Sequence, residues 1–367
     1  MNKKITLAVI VVLIIGGIYY LESTKIKIPA QNINPEKAQG VESNNEQHQK
    51  APELVGISGY LNTEEGLTIS ELNNQGKIVL IDFWTYTCIN CIRTLPYLTS
   101  WDEKYRDEGL VIIGVHTPEF EFEKKYENVQ AAIEKYNIKY AVVQDNDYAT
   151  WTAFKNRYWP RKYLIDTQGN IRYDHIGEGA YEETENKIKE LLNEIGKDVS
   201  GIETLQESSQ GFALIKTSEL YAGYSFALKR EQNIGNLQGL QPGSTIYYTI
   251  PNLIFDDVIY LEGKWKSNPD DLQLTEENGL IILKFIGNSV NIVAENLENP
   301  VIVEVFIDGN YLSKNQAGND IRFEGDKSFI NVDKPQLYNI VNGNYGRYEL
   351  KLKITSSEFT FNAFTFG

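Results

Sequence analysis

Two kinds of hydrophobic pattern alternate in the first half of the chain. The runs at residues 77–84 and 110–115 are continuously apolar, which is typical of strands covered on both faces. The same half also contains helical patterns at 89–107, 121–136 and 181–195, a short strand at 140–143, and strands at 162–165 and 170–175 that flank a hairpin turn. Strands that alternate with helices predict an α/β domain with a mixed sheet over residues 53–198.

The second half has a different pattern, with short strand-like runs separated by Gly, Asn, Asp and Pro. The runs lie at 246–250, 253–261, 280–285, 290–294, 301–307, 338–341, 348–354 and 359–364. Short strands without convincing helices are typical of a β-sandwich or jelly roll. We therefore predict an all-β domain over residues 213–367, joined to the first by a connector at 199–212.

The N-terminal residues predict a membrane anchor. Lys3 and Lys4 precede an uncharged run at 5–21, which has about the minimum length of a spanning helix. Because flanking lysines stay in the cytoplasm, residues 1–21 should hold the rest of the chain outside it, as a single-pass protein of the cell membrane. A cleaved signal peptide is the alternative, but no clear Ala-x-Ala site follows. Residues 22–52 are polar and proline-containing, and we predict a flexible linker there.

The net charge and the number of cysteines exclude several classes of function. The 367 residues include 35 Lys and Arg against 50 Asp and Glu, a net charge of −15 that argues against nucleic-acid binding. Both cysteines lie in Cys88-Ile-Asn-Cys91. Two thiols cannot form a disulfide-dense scaffold or a four-thiolate zinc site, and Ile92 replaces the histidine of a haem-attachment motif. We predict no cofactor other than a redox-active Cys88–Cys91 disulfide.

The two cysteines lie where thiol chemistry is favoured. Cys88 follows a buried strand and begins a helix, and backbone N–H groups at a helix N-terminus stabilise a thiolate. Cys91 comes one turn later on the same side, so the two can form a disulfide. A purely structural disulfide across so short a loop would gain little stability. The position therefore predicts a redox-active dithiol.

The segment around the cysteines resembles the active site of the thioredoxin superfamily, and more narrowly the TlpA-like domain of DipZ-type proteins. The matching segments are 82–91, 116–120, 145–151, 157–160, 177–179 and 363–367. A peroxidatic role for Cys88 is an alternative, because Thr85-x-x-Cys88 is similar to a peroxidase motif, but Ile81 stands where that motif has proline. DipZ-type proteins also carry a CcdA-like membrane domain of several helices. This chain has one short segment, so the resemblance implies a separate CcdA-like electron donor.

The resemblance implies roles for individual residues. Asp82 matches the buried carboxylate of thioredoxins, which would accept the proton of Cys91. Pro160 matches the cis-proline beside the dithiol, and Pro96 matches the proline inside the active-site helix. Glu119 would tune the thiols or relay protons, unless it is an ordinary solvated loop carboxylate.

Aromatic residues near the motif have two interpretations. Trp84, Tyr86 and Trp159 are predicted to line a substrate groove, although aromatic side chains beside a sheet also fill cores. We assign His116 a structural role rather than a catalytic one.

These observations predict a membrane-anchored, extracytoplasmic thiol–disulfide oxidoreductase that reduces protein disulfides. The matching β-domain of DipZ-type proteins is similar to a carbohydrate-binding module or galactose-binding-like jelly roll, which implies a possible glycan ligand. A sugar-stacking face would use Trp265, Tyr247, Tyr248 and Tyr345, although the commoner role of such residues is to fill the core, and we expect most of them to do so. The alternative function is therefore a cell-surface protein in which the β-domain binds a glycan or a partner.

Overall fold

A computed structural model describes residues 48–205 and 216–367. The predicted anchor at 1–21, most of the predicted linker at 22–52, and part of the predicted connector at 199–212 lie outside the described residues. Among the residues described, the structure contains no helix whose length and hydropathy would let it span a bilayer.

Residues 48–205 form the predicted α/β domain. Its strands β1 to β6 are Gly59–Leu61, Ile78–Trp84, Leu110–His116, Ala141–Gln144, Arg161–Ile165 and Ile171–Ile176. Its helices are Ile69–Asn74, Ile89–Tyr105, Tyr126–Lys135, Ala149–Ala153 and Tyr181–Glu194, with a 3₁₀ turn at Glu121–Lys124. The sequence pattern did not predict β1, the first helix or the short helix at Ala149–Ala153.

The sheet of this domain is mixed and has the order β1-β4-β3-β2-β5-β6. The central strand β2 is parallel to β3 and antiparallel to β5. Alternate residues of β2 belong to different core clusters, with Leu80 on one face and Ile81 on the other, and both are fully buried. Burial on both faces is the reason for the continuous apolar run in the sequence.

The predicted helix at 121–136 is two elements. Lys125 has extended backbone angles, φ −71° and ψ 125°, and separates the 3₁₀ turn from the helix that follows. The break turns the chain so that Glu123 points into the domain and is fully buried.

The first described residues already belong to the domain. The backbone N–H of Ala51 donates to Gly169 O over 2.9 Å, and the N–H of Ile171 donates to Gln49 O over 2.8 Å. Residues 48–52 thus pair with the β5–β6 hairpin turn instead of continuing the predicted linker. At the other end of the domain, Val199 is fully buried against it.

Residues 216–367 form the predicted β-rich domain. Its strands β7 to β17 are Leu220–Tyr221, Thr245–Tyr248, Ile259–Ser267, Leu272–Leu274, Gly279–Asn296, Val301–Ile307, Asn310–Tyr311, Arg322–Glu324, Lys327–Val332, Gln336–Ile354 and Phe359–Phe366. A short helix, Tyr224–Ala227, and a 3₁₀ turn, Leu228–Arg230, follow β7.

Hydrogen bonding joins these strands into one continuous sheet. Strand β11 pairs with β16, β17 and β9, while β10 pairs with both β9 and β17. The four strands β9, β10, β17 and β11 therefore form a closed ring. Among the strands that the structure describes in this domain, no break in hydrogen bonding separates two sheets.

The longest strands, β11 and β16, were each predicted as two shorter runs. Gly287 and Gly346 interrupt the apolar pattern, but they face each other across the ladder instead of ending it. Register shifts after Gly287 and Val290 bend the pair. A bulge keeps a strand continuous where the sequence indicates a break, because only the partner strand shows that pairing resumes.

The two domains pack against each other next to the end of β3. The ring of Phe120 lies 5.9 Å from the ring of Phe226. The backbone N–H of Glu121 donates to Asp270 Oδ2 over 2.9 Å. The segment that follows β3 is therefore a contact surface for the β-domain.

Candidate active site

The two cysteines lie at the start of the helix Ile89–Tyr105. Cys88 is its N-cap residue, with extended backbone angles, and its Sγ accepts a hydrogen bond from the Cys91 N–H over 3.2 Å. Both cysteines are free thiols, Cys88 partly exposed and Cys91 buried. An N–H that points at sulfur stabilises the thiolate form, so Cys88 has the position of a nucleophile.

Cys91 has the environment of a second, protected thiol. Its exposed fraction is 1%. Burial raises its pKa well above the ordinary value, and the neighbouring Cys88 and the negative charge of Asp82 act in the same direction. Cys91 therefore keeps its proton until a nearby base removes it.

Asp82, in β2, is a candidate for this base, because its charge acts on Cys91. Its exposed fraction is 1%, and Oδ1 has no hydrogen-bond partner within the protein. Burial raises its pKa to about 7, although the positive charge of Lys162 acts against this. A carboxyl group that titrates near neutrality can accept a proton and release it again.

Lys162 was not predicted as part of the site. It lies opposite Asp82 in the β2–β5 register and has no exposed surface. Its Nζ donates to Gly177 O over 3.3 Å, and burial lowers its pKa. A lysine directly before the apolar residues Tyr163 to Ile165 of a predicted strand was the available signal, because buried charges are normally paired.

Trp159, which precedes Pro160 at the start of β5, lines the same cavity as Cys88. The Trp159–Pro160 peptide bond is cis. The indole Nε1 of Trp159 donates to Thr117 O over 3.1 Å, and its ring centroid lies 4.3 Å from that of Trp151. These contacts hold the tryptophan at the edge of the site.

Cys88 opens into a cavity of about 200 Å³ that both domains line. The first domain contributes Cys88, Glu119 and Trp159, among others. The β-domain contributes residues 216–219, 221, 365 and 366. A substrate sulfur that enters this cavity therefore lies beside the β-domain, which sequence patterns did not indicate.

Glu119 is largely enclosed in this cavity, with 7% of its side chain exposed. Its Oε1 accepts a hydrogen bond from the Tyr221 hydroxyl over 2.7 Å, and Arg230 Nη2 lies 4.0 Å away. Burial raises its pKa well above the ordinary value, and the charge of Glu219 adds to this. The predicted alternative of an ordinary solvated carboxylate is therefore wrong.

Glu123 supports the loop that carries Glu119. Its carboxylate accepts hydrogen bonds from the N–H groups of Glu119 and Phe120 over 2.6 and 2.9 Å, and from Thr87 Oγ1 over 2.5 Å. Thr87 directly precedes Cys88, so one buried carboxylate ties the nucleophile segment to the Glu119 segment. No sequence pattern marked Glu123.

Two of the three predicted groove residues are core residues. Trp84 has no exposed surface, because β2 is covered on both faces, and its ring packs edge-on to His116. Tyr86 is 4% exposed and stacks on the same histidine. Burial lowers the pKa of His116 to about 3, so this side chain is neutral and packs as an aromatic ring. Trp159 alone of the three lines the Cys88 cavity.

Only part of the predicted sugar-stacking face is exposed. Trp265 and Tyr248 are buried in the β-domain, at 0% and 1% exposure, while Tyr247 and Tyr345 are exposed. A ring must be exposed to stack on a sugar, so two of the four residues cannot do so. The predicted alternative of a glycan-binding protein is therefore not favoured, and a glycan ligand stays a prediction.

Comparison with known proteins defines the class. Residues 48–174 match the AhpC/TSA family, and residues 217–367 match the thioredoxin like C-terminal domain. The chain is 30% identical over 146 residues to the thiol-disulfide oxidoreductase YkuV of Bacillus subtilis. The aligned region covers 40% of this chain and 96% of YkuV. The chain belongs to the family of thioredoxin-like thiol–disulfide oxidoreductases, and the predicted enzyme class is confirmed at that level.

A longer similarity extends into the β-domain. The protein DipZ of Mycobacterium tuberculosis is 38% identical over 244 residues, or 66% of this chain and 34% of DipZ. The chain thus spans about a third of the length of that relative. A solved thioredoxin-like protein in the oxidised form is 28% identical and covers 41% of this chain and 98% of its own, with a TM-score of 0.36.

Proposed function

We propose that this chain reduces disulfides through the dithiol Cys88–Cys91. The Cys88 thiolate attacks one sulfur of a substrate disulfide, forms a mixed disulfide and releases the other substrate sulfur as a thiolate, which takes up a proton. Cys91 then attacks the Cys88 sulfur and releases the second substrate thiol. The two electrons lost by the dithiol are gained by the substrate, and a Cys88–Cys91 disulfide is left.

Asp82 serves the second step. The Cys91 thiol must lose its proton before it can attack, and its burial opposes ionisation. Asp82, buried beside it and titrating near neutrality, receives that proton and later passes it on. The observation that carries the proposal is this pairing of an N-capping, partly exposed Cys88 with a buried Cys91 next to Asp82.

We further propose that the domains work outside the cytoplasm, held by the predicted anchor at residues 1–21. The oxidised dithiol must then be reduced again by a separate membrane thiol donor of the CcdA-like type. Protein disulfides are the expected substrates. These proposals rest on the sequence pattern and on the similarity to DipZ.

Trapping the mixed disulfide tests the function. In the full chain, Cys91→Ser should accumulate a covalent complex with a disulfide-containing peptide, because Cys88 can attack but nothing resolves the complex. Cys88→Ser is the matched control and should trap nothing. A Cys91→Ser variant that forms no complex, together with a parent chain that reduces no disulfide, would refute the proposal.

The direction of electron flow needs its own measurement. A reduction potential of the Cys88–Cys91 couple near the roughly −270 mV of thioredoxin would support a reductase. A value near the roughly −120 mV of a strong oxidant would mean that the chain oxidises thiols instead.

A further inference from the structure

A chain of hydrogen bonds leads from the dithiol cavity to the protein surface. The Tyr221 hydroxyl lies 2.7 Å from Glu119 Oε1 and 2.8 Å from Glu219 Oε2. Glu119 has only 7% of its side chain exposed and Tyr221 is 6% exposed, whereas Glu219 is an exposed residue. All three line the cavity that contains Cys88. One end of the chain therefore lies in the cavity of the nucleophile, and the other end is an exposed residue at the rim of that cavity.

A tyrosine hydroxyl between two carboxyl groups can pass protons. The hydroxyl has one hydrogen to donate and lone pairs to accept with, so it can donate to one carboxylate while it accepts from the other carboxyl group. Both O···O distances are those of good hydrogen bonds. If Glu119 is ionised and Glu219 is protonated, the Tyr221 hydroxyl can give its proton to Glu119 while it takes one from Glu219. This concerted transfer exchanges the protonation states of the two carboxyl groups.

The β-domain holds this arrangement in place. The backbone N–H of Tyr221 donates to Gln232 Oε1 over 3.0 Å, and Gln232 Nε2 donates to Glu219 O over 2.7 Å. The guanidinium of Arg230 lies 4.3 Å from the centre of the Tyr221 ring. Two neighbouring side chains thus fix the tyrosine, which is what a relay with short distances requires.

Charged and titratable groups from both domains face Glu119. Glu123 and Tyr148 belong to the first domain, while Glu219, Tyr221 and Arg230 belong to the second. Lys216 lines the same cavity. Burial raises the pKa of Glu119, and the charges of Glu219 and Glu123 raise it further, while Arg230 and the Tyr221 hydroxyl act against them. These groups together let Glu119 hold a proton close to Cys88.

We propose that Tyr221 and Glu219, both from the β-domain, supply protons from solvent to Glu119, which gives them to the two substrate thiolates that the exchange releases beside Cys88. The inference rests on the proposed function and adds a role for the second domain in it. Each departing substrate thiolate takes the Glu119 proton and becomes a thiol. Glu119 then takes the Tyr221 hydrogen, Tyr221 takes one from Glu219, and Glu219 takes one from a hydronium ion of the solvent. Glu119 lines the cavity that contains the Cys88 sulfur, and the two β-domain residues act through it.

Kinetics of two conservative variants test the relay. Tyr221→Phe and Glu219→Gln should each lower the rate of peptide-disulfide reduction by the full chain about tenfold at neutral pH, less than the roughly 100-fold expected on losing a positioned proton donor. The double variant should lose no more than either single variant, because both interrupt one path. Rising concentrations of imidazole buffer should restore the rate of each variant, since a small acid can protonate Glu119 directly. The unmodified chain should not respond to the buffer.

The matched control is Tyr311→Phe. It removes another hydrogen bond between tyrosine and glutamate in the β-domain, the one from Tyr311 to Glu304, and should leave the rate unchanged. Unmodified rates in Tyr221→Phe and Glu219→Gln would overturn the inference, as would losses that no buffer restores. Because Glu219 is exposed, its variant tests the path even if Tyr221→Phe misfolds. A parent chain that reduces no disulfide would instead refute the proposed function itself, and this inference with it.

Discussion

Replacing Asp82 by asparagine should stabilise the folded chain above neutral pH while it slows the chemistry. In the fold, burial raises the pKa of Asp82 from 3.8 to about 7. Below the ordinary pKa the group is protonated in both the folded and the unfolded chain and costs nothing. Between about pH 4 and 7 the unfolded chain loses this proton and the folded chain keeps it, so stability falls as the pH rises. Asparagine has no such penalty.

The size of the effect follows from the two pKa values. At about 1.36 kcal/mol for each pH unit, their difference corresponds to about 4 kcal/mol, reached in full above pH 7. The free energy of unfolding of Asp82→Asn, minus that of the parent chain, should therefore increase by about this amount from pH 4 to pH 8. Denaturant titrations of the reduced chain, followed by tryptophan fluorescence, measure the difference. Four of the five tryptophans lie in the α/β domain and report on it.

The substitution Asp166→Asn is a control whose effect on stability should change with pH in the opposite direction. Burial raises its pKa, but hydrogen bonds from Asn170 and the Gln168 N–H outweigh this and lower it overall. Asp166→Asn should therefore lose stability, relative to the parent chain, as the pH rises through the acid range. If the difference between Asp82→Asn and the parent chain did not change with pH, Asp82 would not titrate as described. Its proposed role as the base for Cys91 would then fail as well.

Three further substitutions test the packing around the site by denaturant unfolding. His116→Phe should make the stability of the chain less sensitive to acid. Burial lowers the pKa of His116 to about 3, so the stability of the parent chain falls as the pH drops from about 6.5 toward 3. Equal acid sensitivity of the variant and the parent chain would contradict this. Gly114→Ala should cost about 1–3 kcal/mol, because the new Cβ would lie 2.9 Å from Trp84 Nε1; a neutral effect would mean that the tryptophan moves freely. Glu123→Ala should cost about 1–3 kcal/mol, because the N–H groups of Glu119 and Phe120 lose their acceptor. Unchanged stability would contradict the role of Glu123 in supporting the loop.

The position of the β-domain changes the interpretation of the redox site. The cavity at Cys88 has one wall from each domain, and its volume is about 200 Å³. A disulfide that enters this cavity on its way to Cys88 contacts both domains. The β-domain is thus part of the site as well as a neighbour of it.

Local patterns were enough to locate the dithiol. The continuous apolar run of β2 and the helical pattern after it placed Cys88 at a strand-to-helix junction, and the structure has it there. The burial of Asp82 followed from the same run, because a residue inside a strand covered on both faces has no route to water. Long strands were harder, since the partners of Gly287 in β11 are visible only across the sheet.

What the sequence by itself determined is the placement of the proposed chemistry, because the proposed nucleophile, its partner thiol and the proposed base lie within ten residues and are arranged by one strand and one helix. Only the tertiary structure decided what surrounds that chemistry. Tyr221 meets Glu119 across 102 residues of sequence, and Lys162 reaches Asp82 through strand pairing. Contacts of this kind depend on how separate elements pack together, and no spacing along the chain records them. The enclosure of Cys88 by the second domain belongs to the same class.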